Sequence, residues 1–196
     1  MDDLLKQLKN SARLDHVPIM MDSGMAFLET YIRERPGVMK ILECGTAVGL
    51  SAIRMALIRE NITVDTLEVD PAMAEQAVEN IQNAGLSDRV FVHVTDAALF
   101  QTEQYYDLFF IDAAKSQYRM YLEHFWKNSY RGSVFVFDNL CFHGIVDHPE
   151  KSENRSTLQM TRKIKKFREF IQQDERFVTE WHPDVGDGVL VAQRIV

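Results

Sequence analysis

Residues 106–115, which read Y-D-L-F-F-I-D-A-A-K, decide the fold prediction. Their apolar run, 108–111, is typical of a strand that is buried on both faces of a sheet. The run ends abruptly at Asp112, and Lys115 follows a few residues later. Because an open α/β sheet carries its chemistry at the carboxyl ends of its strands, this pattern predicts a carboxylate and an amine at one sheet edge.

A second apolar run ends in the same way. Residues 134–137 read V-F-V-F and lead directly into Asp138 and Asn139. We expect both side chains to join Asp112 at the same edge, because parallel neighbouring strands end side by side. Two carboxylates and an amide suit a hard cation such as Mg²⁺, which prefers oxygen ligands. Taken singly, each residue is also compatible with a structural strand end or turn.

Strand and helix patterns alternate along the chain, and repeated βα units predict an α/β fold. We expect a Rossmann-like, seven-stranded, mostly parallel sheet with an antiparallel last strand and helices on both faces. The turn signal D-V-G-D-G at 184–188 makes the last two strands antiparallel. The predicted strands are 40–43, 63–68, 90–94, 106–111, 134–137, 177–182 and 189–196, and the predicted helices are 1–10, 22–34, 49–59, 71–84, 117–127 and 156–173.

Composition narrows the class of protein. A chain of 196 residues with 46% hydrophobic content predicts a single globular domain spanning residues 1–196. The net charge of -7 argues against a generally basic nucleic-acid binder but leaves room for a local basic patch. No apolar stretch is long enough to span a bilayer, the N-terminus does not resemble a signal peptide, and two cysteines make no disulfide framework. We therefore expect a cytoplasmic protein.

The first predicted strand runs into a glycine turn, E-C-G-T-A-V-G-L-S, at 43–51. Gly45 and Gly49 allow a ligand to approach the backbone before a helix N-terminus, and Glu68, at the end of the next strand, could accept ribose hydroxyls. Asp96 could either contact an adenine or cap a short turn. The spacing G-x-x-x-G differs from the dinucleotide motif, but a βαβ unit with Glu68 leaves an NAD-linked oxidoreductase open as an alternative.

Taken together, these motifs resemble the class I S-adenosylmethionine-dependent O-methyltransferases of the catechol and caffeoyl-CoA type. The turn at 43–51 is similar to that family's E-x-G-(T/A)-x-x-G signature, F-I-D-A-A-K at 110–115 with Tyr118 to its metal-and-lysine motif, and D-N at 138–139 to its second metal motif. The resemblance covers nearly everything after His16. It implies a class I methyltransferase fold, with residues 1–35 as a helical lid region.

The resemblance also implies roles for individual residues. Asp112, Asp138 and Asn139 would bind a divalent cation, with magnesium the expected ion. Lys115 would be the base, assisted by Asp112. Ser51 would bind the carboxylate of the methyl donor, and Asp96 and Ala97 would border its adenine. The full set implied for S-adenosylmethionine is Glu43, Gly45, Thr46, Gly49, Ser51, Glu68, Asp96, Ala97 and Asp112.

The methyl acceptor is the least determined part of the interpretation. Segments 16–20, 111–118 and 138–146 resemble small bacterial members that methylate 5-hydroxyuridine at the tRNA wobble position to 5-methoxyuridine. His143 stands where that pattern usually has arginine, so a catechol-like or phenylpropanoid small molecule is the alternative. The family resemblance also implies a homodimer.

The predicted helix 156–173 carries the densest group of basic residues in this acidic chain. Such a group is typical of a solvated helix face, but it could also contact tRNA phosphates or an anionic small substrate. Its members are Arg162, Lys163, Lys165, Lys166 and Arg168, with Arg155 just before it.

Overall fold

A computed structural model describing residues 1–196 contains one seven-stranded sheet in the order β3-β2-β1-β4-β5-β7-β6. Strands β1 to β5 run parallel, and β7 runs antiparallel to both β5 and β6, which confirms the predicted fold class. The strands are β1 (Lys40–Cys44), β2 (Thr63–Glu68), β3 (Val90–Val94), β4 (Leu108–Ile111), β5 (Val134–Phe137), β6 (Phe177–His182) and β7 (Val189–Arg194).

Six α-helices cover the two faces of the sheet. They are α1 (Asp2–Leu14), α2 (Asp22–Arg33), α3 (Leu50–Leu57), α4 (Pro71–Asn83), α5 (Tyr118–Phe125) and α6 (Arg155–Gln173). Short 3₁₀ turns flank α5 and precede α6. No helix combines the length and the apolar character that crossing a membrane requires.

Several predicted boundaries were wrong. Helix α1 continues to Leu14 rather than residue 10, because Ala12 is buried on the same face that Leu5 and Leu8 pack against α3. Strand β4 begins at residue 108 rather than 106. The regular register starts at Leu108, although the Asp107 backbone already bonds to Lys40 and Val134. The Asp107 side chain also accepts the backbone N–H groups of Met39 and Lys40.

Helix α2 begins at Asp22, as predicted. Met21 is the N-cap residue and makes no side-chain cap. Ser23 Oγ instead accepts a hydrogen bond from the Gly186 N–H, 3.1 Å away, and Asp22 forms an ion pair with Lys9. This serine therefore ties α2 to the β6–β7 turn.

Two apolar layers lie on opposite faces of the sheet. One contains α2, α3 and α4, and the other contains α5 and α6. The second layer is aromatic: the rings of Phe109 and Phe135 stack with centroids 4.3 Å apart, and Phe137 stacks beyond Phe135. These rings fill the space beneath the ends of β4 and β5, so they hold those two strands at a fixed level.

We predict that Phe135→Ala lowers the free energy of unfolding by about 3–5 kcal/mol, because it leaves a cavity in the aromatic layer. Urea denaturation measures this change. Phe91→Ala is the matched control, since Phe91 lies on the edge strand and is 43% exposed. Equal losses for the two variants would contradict the placement of the core.

Candidate functional site

A cavity of about 620 Å³ opens at the carboxyl ends of the parallel strands, where the strand order changes direction between β1 and β4. This is the position at which open α/β sheets bind ligands. Its lining brings together many of the residues that the sequence singled out. These are Gly45, Glu68, Asp96, Ala97, Asp112, Lys115 and Asn139.

The glycine turn after β1 is packed directly against the end of β4. Gly45 has φ of 102°, and a Cβ atom there would lie 2.5 Å from the Asp112 carbonyl oxygen. The backbone N–H groups of Gly45 and Thr46 both donate to the Leu67 carbonyl oxygen. Only glycine permits this approach, which forms one wall of the cavity beside Asp112.

Gly49 has a different role from Gly45. It is the N-cap of α3 with φ of 80°, and a Cβ atom would meet the Ala77 side chain of α4 at 3.3 Å. It does not line the cavity. The second glycine of the motif therefore serves the packing of α3 on α4, and its role toward a ligand stays a prediction.

Glu43 lies behind the cavity wall, with no exposed surface. Its carboxylate accepts hydrogen bonds from the hydroxyls of Ser51 and Thr66, each at 2.5 Å. Burial raises the pKa of Glu43 to about 8, and the two hydroxyl hydrogen bonds only partly oppose that rise. Glu43 thus supports Ser51 from beneath instead of facing the cavity.

Ser51 and Thr46 line a smaller pocket adjoining the main cavity, which shares Gly45 and Asp112 with it. Lys9 of α1 and Arg54 of α3 border the same pocket. Both cations are already paired, Lys9 with Asp22 at 2.5 Å and Arg54 with Glu29 at 2.7 Å. Asp22 and Asp112 also line this pocket, so its charge is balanced.

Glu68 and Asp96 lie on the other side of the glycine turn. One Glu68 oxygen accepts the Ala47 N–H at 2.8 Å, and the other accepts the N–H groups of Val69 and Asp70. Asp96 accepts the Ala98 N–H at 2.8 Å. Asp96 therefore caps a turn and also lines the cavity, and its contact with an adenine stays a prediction.

Asp112 and Lys115 form an ion pair at the cavity floor, with Nζ 3.1 Å from Oδ1. Burial raises the pKa of Asp112, while the neighbouring ammonium of Lys115 opposes the rise. The strand end and the following 3₁₀ turn hold the two groups together, as their spacing in the sequence predicted.

Asp138 is the most unusual group in the structure. Its side chain is buried, and neither carboxylate oxygen has a hydrogen-bond partner. Burial, followed by the negative charge of Asp112, raises the pKa of Asp138 well above the usual aspartate range. An unpartnered buried carboxylate requires a proton or a cation. With Asp112 and Asn139 it would offer a cation two carboxylates and an amide. No group of three or more His, Cys, Asp or Glu side chains is placed so that it could hold a metal ion.

Asp187, in the β6–β7 turn, was missed by the sequence analysis. It is buried and lines the cavity. Its Oδ1 accepts the His143 N–H at 2.7 Å, and its Oδ2 lies 3.5 Å from Asn139 Nδ2. The segment D-V-G-D-G had been interpreted only as a turn signal. The pairing of β7 with β5, which brings that turn beside Asn139, was the missing signal.

Aromatic and apolar residues cover the opposite side of the cavity. Phe142 and His143 lie in the lining with Pro18, Ile19 and Met21. Tyr118, the last residue of the metal-and-lysine motif, is buried and donates its hydroxyl to the Asp138 carbonyl oxygen at 2.7 Å.

The basic face of α6 is largely exposed, with one exception. Arg168 is held by Asp147 in a two-pronged ion pair, so it is not available to a ligand. The exposed cations are Arg155, Arg162, Lys163, Lys165 and Lys166.

Comparisons with known proteins agree with this geometry. A family model described as O-methyltransferase matches residues 1–195. A caffeoyl-CoA O-methyltransferase from Populus kitakamiensis is 28% identical over 165 residues, covering 80% of this chain and 70% of that protein. A catechol O-methyltransferase from Mycobacterium tuberculosis is 36% identical over 161 residues, which cover 77% of this chain and 71% of that protein. The solved structure of an O-methyltransferase from Bacillus cereus in complex with SAH has a TM-score of 0.83 at 26% identity, covering 99% and 91%.

We predict that Glu43→Gln changes how stability depends on pH. The pKa of Glu43 rises from 4.5 to about 8 on folding, so the folded state binds the proton more tightly than the unfolded chain. Glu43 therefore makes the wild-type free energy of unfolding fall as pH rises through that range. The free energy of unfolding of Glu43→Gln, measured relative to that of wild type, should therefore increase by several kcal/mol as the pH rises from 5 to 8.

Urea denaturation at a series of pH values tests this expectation. Glu75→Gln, an exposed position on α4, provides the control and should give a curve parallel to wild type. A parallel curve for Glu43→Gln as well would show that Glu43 does not hold its proton in the folded protein.

Proposed function

The chain belongs to the O-methyltransferase family, and from that membership we propose that it methylates an acidic hydroxyl of a small aromatic molecule of the catechol type. S-adenosylmethionine is the methyl donor, and a divalent cation, with Mg²⁺ expected, is held by Asp112, Asp138 and Asn139. The observation that carries the proposal is the buried, unpartnered Asp138 carboxylate beside Asp112.

The chemistry of these three residues and the level of their strand ends support the proposed cation site. Ile111 and Phe137 are paired in the sheet, so Asp112 and Asp138 leave β4 and β5 at the same level. Asn139 follows at once and lines the cavity. A bound divalent cation lowers the pKa of a coordinated hydroxyl and holds the oxygen in place for attack.

S-adenosylmethionine is proposed to bind along the glycine turn. Glu68 and Asp96 face the cavity where the adenosine portion would lie, with Ala97 beside them. Ser51 and Thr46 border the smaller pocket, and their hydroxyls are the groups proposed to meet the methionine carboxylate. Glu43 would act through Ser51, because its own carboxylate is not exposed to the cavity.

Lys115 is the proposed base. Its amine reaches the cavity from beside Asp112 and is the nearest basic group to the carboxylates. Holding the acceptor hydroxyl between Lys115 and the donor supplies proximity and orientation, the largest contribution such a site makes to methyl transfer.

Residues 1–35 are proposed to form a lid. Helices α1 and α2 pack against α3, and the segment that joins them supplies Pro18, Ile19 and Met21 to the cavity wall. The apolar wall would exclude water from the reacting groups. A homodimer and a cytoplasmic location stay predictions.

Methylation of 5-hydroxyuridine in tRNA is the second candidate. The exposed basic face of α6 favours it, since cations on one helix face could bind phosphates. Two observations favour a small acceptor: the named relatives are caffeoyl-CoA and catechol enzymes, and Arg168 is already paired with Asp147. The same basic face could bind an anionic group such as that of a CoA thioester.

We predict that the purified protein transfers a labelled methyl group from S-adenosylmethionine to a catechol, and that EDTA abolishes and Mg²⁺ restores the transfer. Asp138→Ala should lower kcat by about a hundredfold or more, since a lost cation removes several kcal/mol of stabilisation. Asp88→Ala, an exposed position far from the cavity, is the control.

Calorimetry with S-adenosylhomocysteine should show near-normal binding for both variants. A parallel assay offers tRNA bearing 5-hydroxyuridine. Faster methylation of tRNA would replace the small-molecule proposal with the second candidate, and activity unchanged by EDTA would refute the cation.

A further inference from the structure

We infer that Asp187 is a positioning residue that orients the side-chain amide of Asn139 toward the cation. The inference rests on the cation site proposed above and deepens it. Asp187 lies on the β6–β7 turn, far in sequence from both motifs that supply the proposed ligands.

Asp187 contacts several residues of the segment 139–143, which follows β5. Its carboxylate accepts the His143 N–H at 2.7 Å and approaches the Asn139 amide nitrogen at 3.5 Å. Its backbone carbonyl oxygen accepts the Cys141 N–H at 2.8 Å, and the Gly188 carbonyl oxygen accepts the Leu140 N–H at 2.9 Å. The turn therefore binds residues 139–143, the first part of the segment between β5 and α6.

The loop needs such support because its backbone is strained. Asn139, Phe142 and His143 all have positive φ, at 59°, 44° and 55°. Residues other than glycine hold this conformation only where their surroundings impose it. Gly188 allows the close contact, since a Cβ there would lie 2.5 Å from Cys141 Sγ.

The chemistry of the two side chains then decides which end of the amide is free. A carboxylate only accepts hydrogen bonds, so Asp187 can attract only the NH₂ end of Asn139. The amide oxygen is left for a cation. Orientation of a ligand by a partner of this kind is a general feature of metal sites.

A purely structural role for Asp187 makes a different prediction, and Asp187→Asn separates the two. The substituted amide could still accept the His143 N–H through its oxygen and so keep the loop attached. Its NH₂ group would then face the NH₂ of Asn139 and repel it, which favours the flipped amide. A structural role predicts little change, whereas the positioning role predicts that the cation site is weakened.

The test measures Mn²⁺ binding by electron paramagnetic resonance for wild type, Asp187→Asn and Asp184→Asn. Asp184 is an exposed aspartate of the same turn, so its variant makes the same charge change without touching Asn139. We expect a tenfold to hundredfold loss of Mn²⁺ affinity for Asp187→Asn. Asp184→Asn should stay close to wild type, and S-adenosylhomocysteine binding should be unchanged in both.

A second readout needs no metal. In ¹⁵N-labelled, metal-free protein, the side-chain amide signals of Asn139 should shift in Asp187→Asn and not in Asp184→Asn. Unchanged signals, or wild-type Mn²⁺ affinity in Asp187→Asn, would overturn the role of Asp187 and leave the proposed function intact. Failure of the wild type to bind Mn²⁺ while it binds S-adenosylhomocysteine would overturn the cation site itself, and this inference with it.

Discussion

A carboxylate that is buried without a hydrogen-bond partner is the constraint on which this site depends. Burying an unpaired charge is costly, and proteins avoid it unless the group is neutralised or bound. Asp138 is placed there by the sheet itself, because β4 and β5 are paired up to Ile111 and Phe137 and end together. The aromatic layer beneath the strands fixes that level. The packing that stabilises the fold thus also buries a carboxylate that needs a proton or a cation to neutralise it.

The glycine turn, where the methyl donor is proposed to bind, is joined to this carboxylate pair through one close contact. Gly45 lets the turn after β1 lie against the Asp112 carbonyl, so the wall of the donor cavity and the first carboxylate are built on neighbouring strand ends. Methyl transfer requires the donor sulfur, the methyl carbon and the attacking oxygen in line. A rigid sheet edge that carries both sites supplies that alignment with little loss of conformational freedom during the reaction.

Local sequence predicted the parts of the site that follow single strands. Asp112, Asp138 and Asn139 were placed at the sheet edge because they come at once after buried apolar runs, and Lys115 because it follows Asp112 closely. The direction of a side chain was harder to predict, since Glu43 faces inward beneath Ser51 and Tyr118 faces the core. Asp187 was missed because its position depends on an antiparallel pairing between distant strands. The end of α1 was placed too early because the burial of Ala12 depends on contacts with residues distant in sequence.

The most direct test of the central claim is a crystal structure with S-adenosylhomocysteine and Mn²⁺, with anomalous scattering data collected at the manganese edge. We predict one strong anomalous peak in contact with oxygens of Asp112, Asp138 and Asn139. An ordered donor product in the cavity with no anomalous peak at Asp138 would contradict it, because the buried carboxylate would then be satisfied by a proton alone.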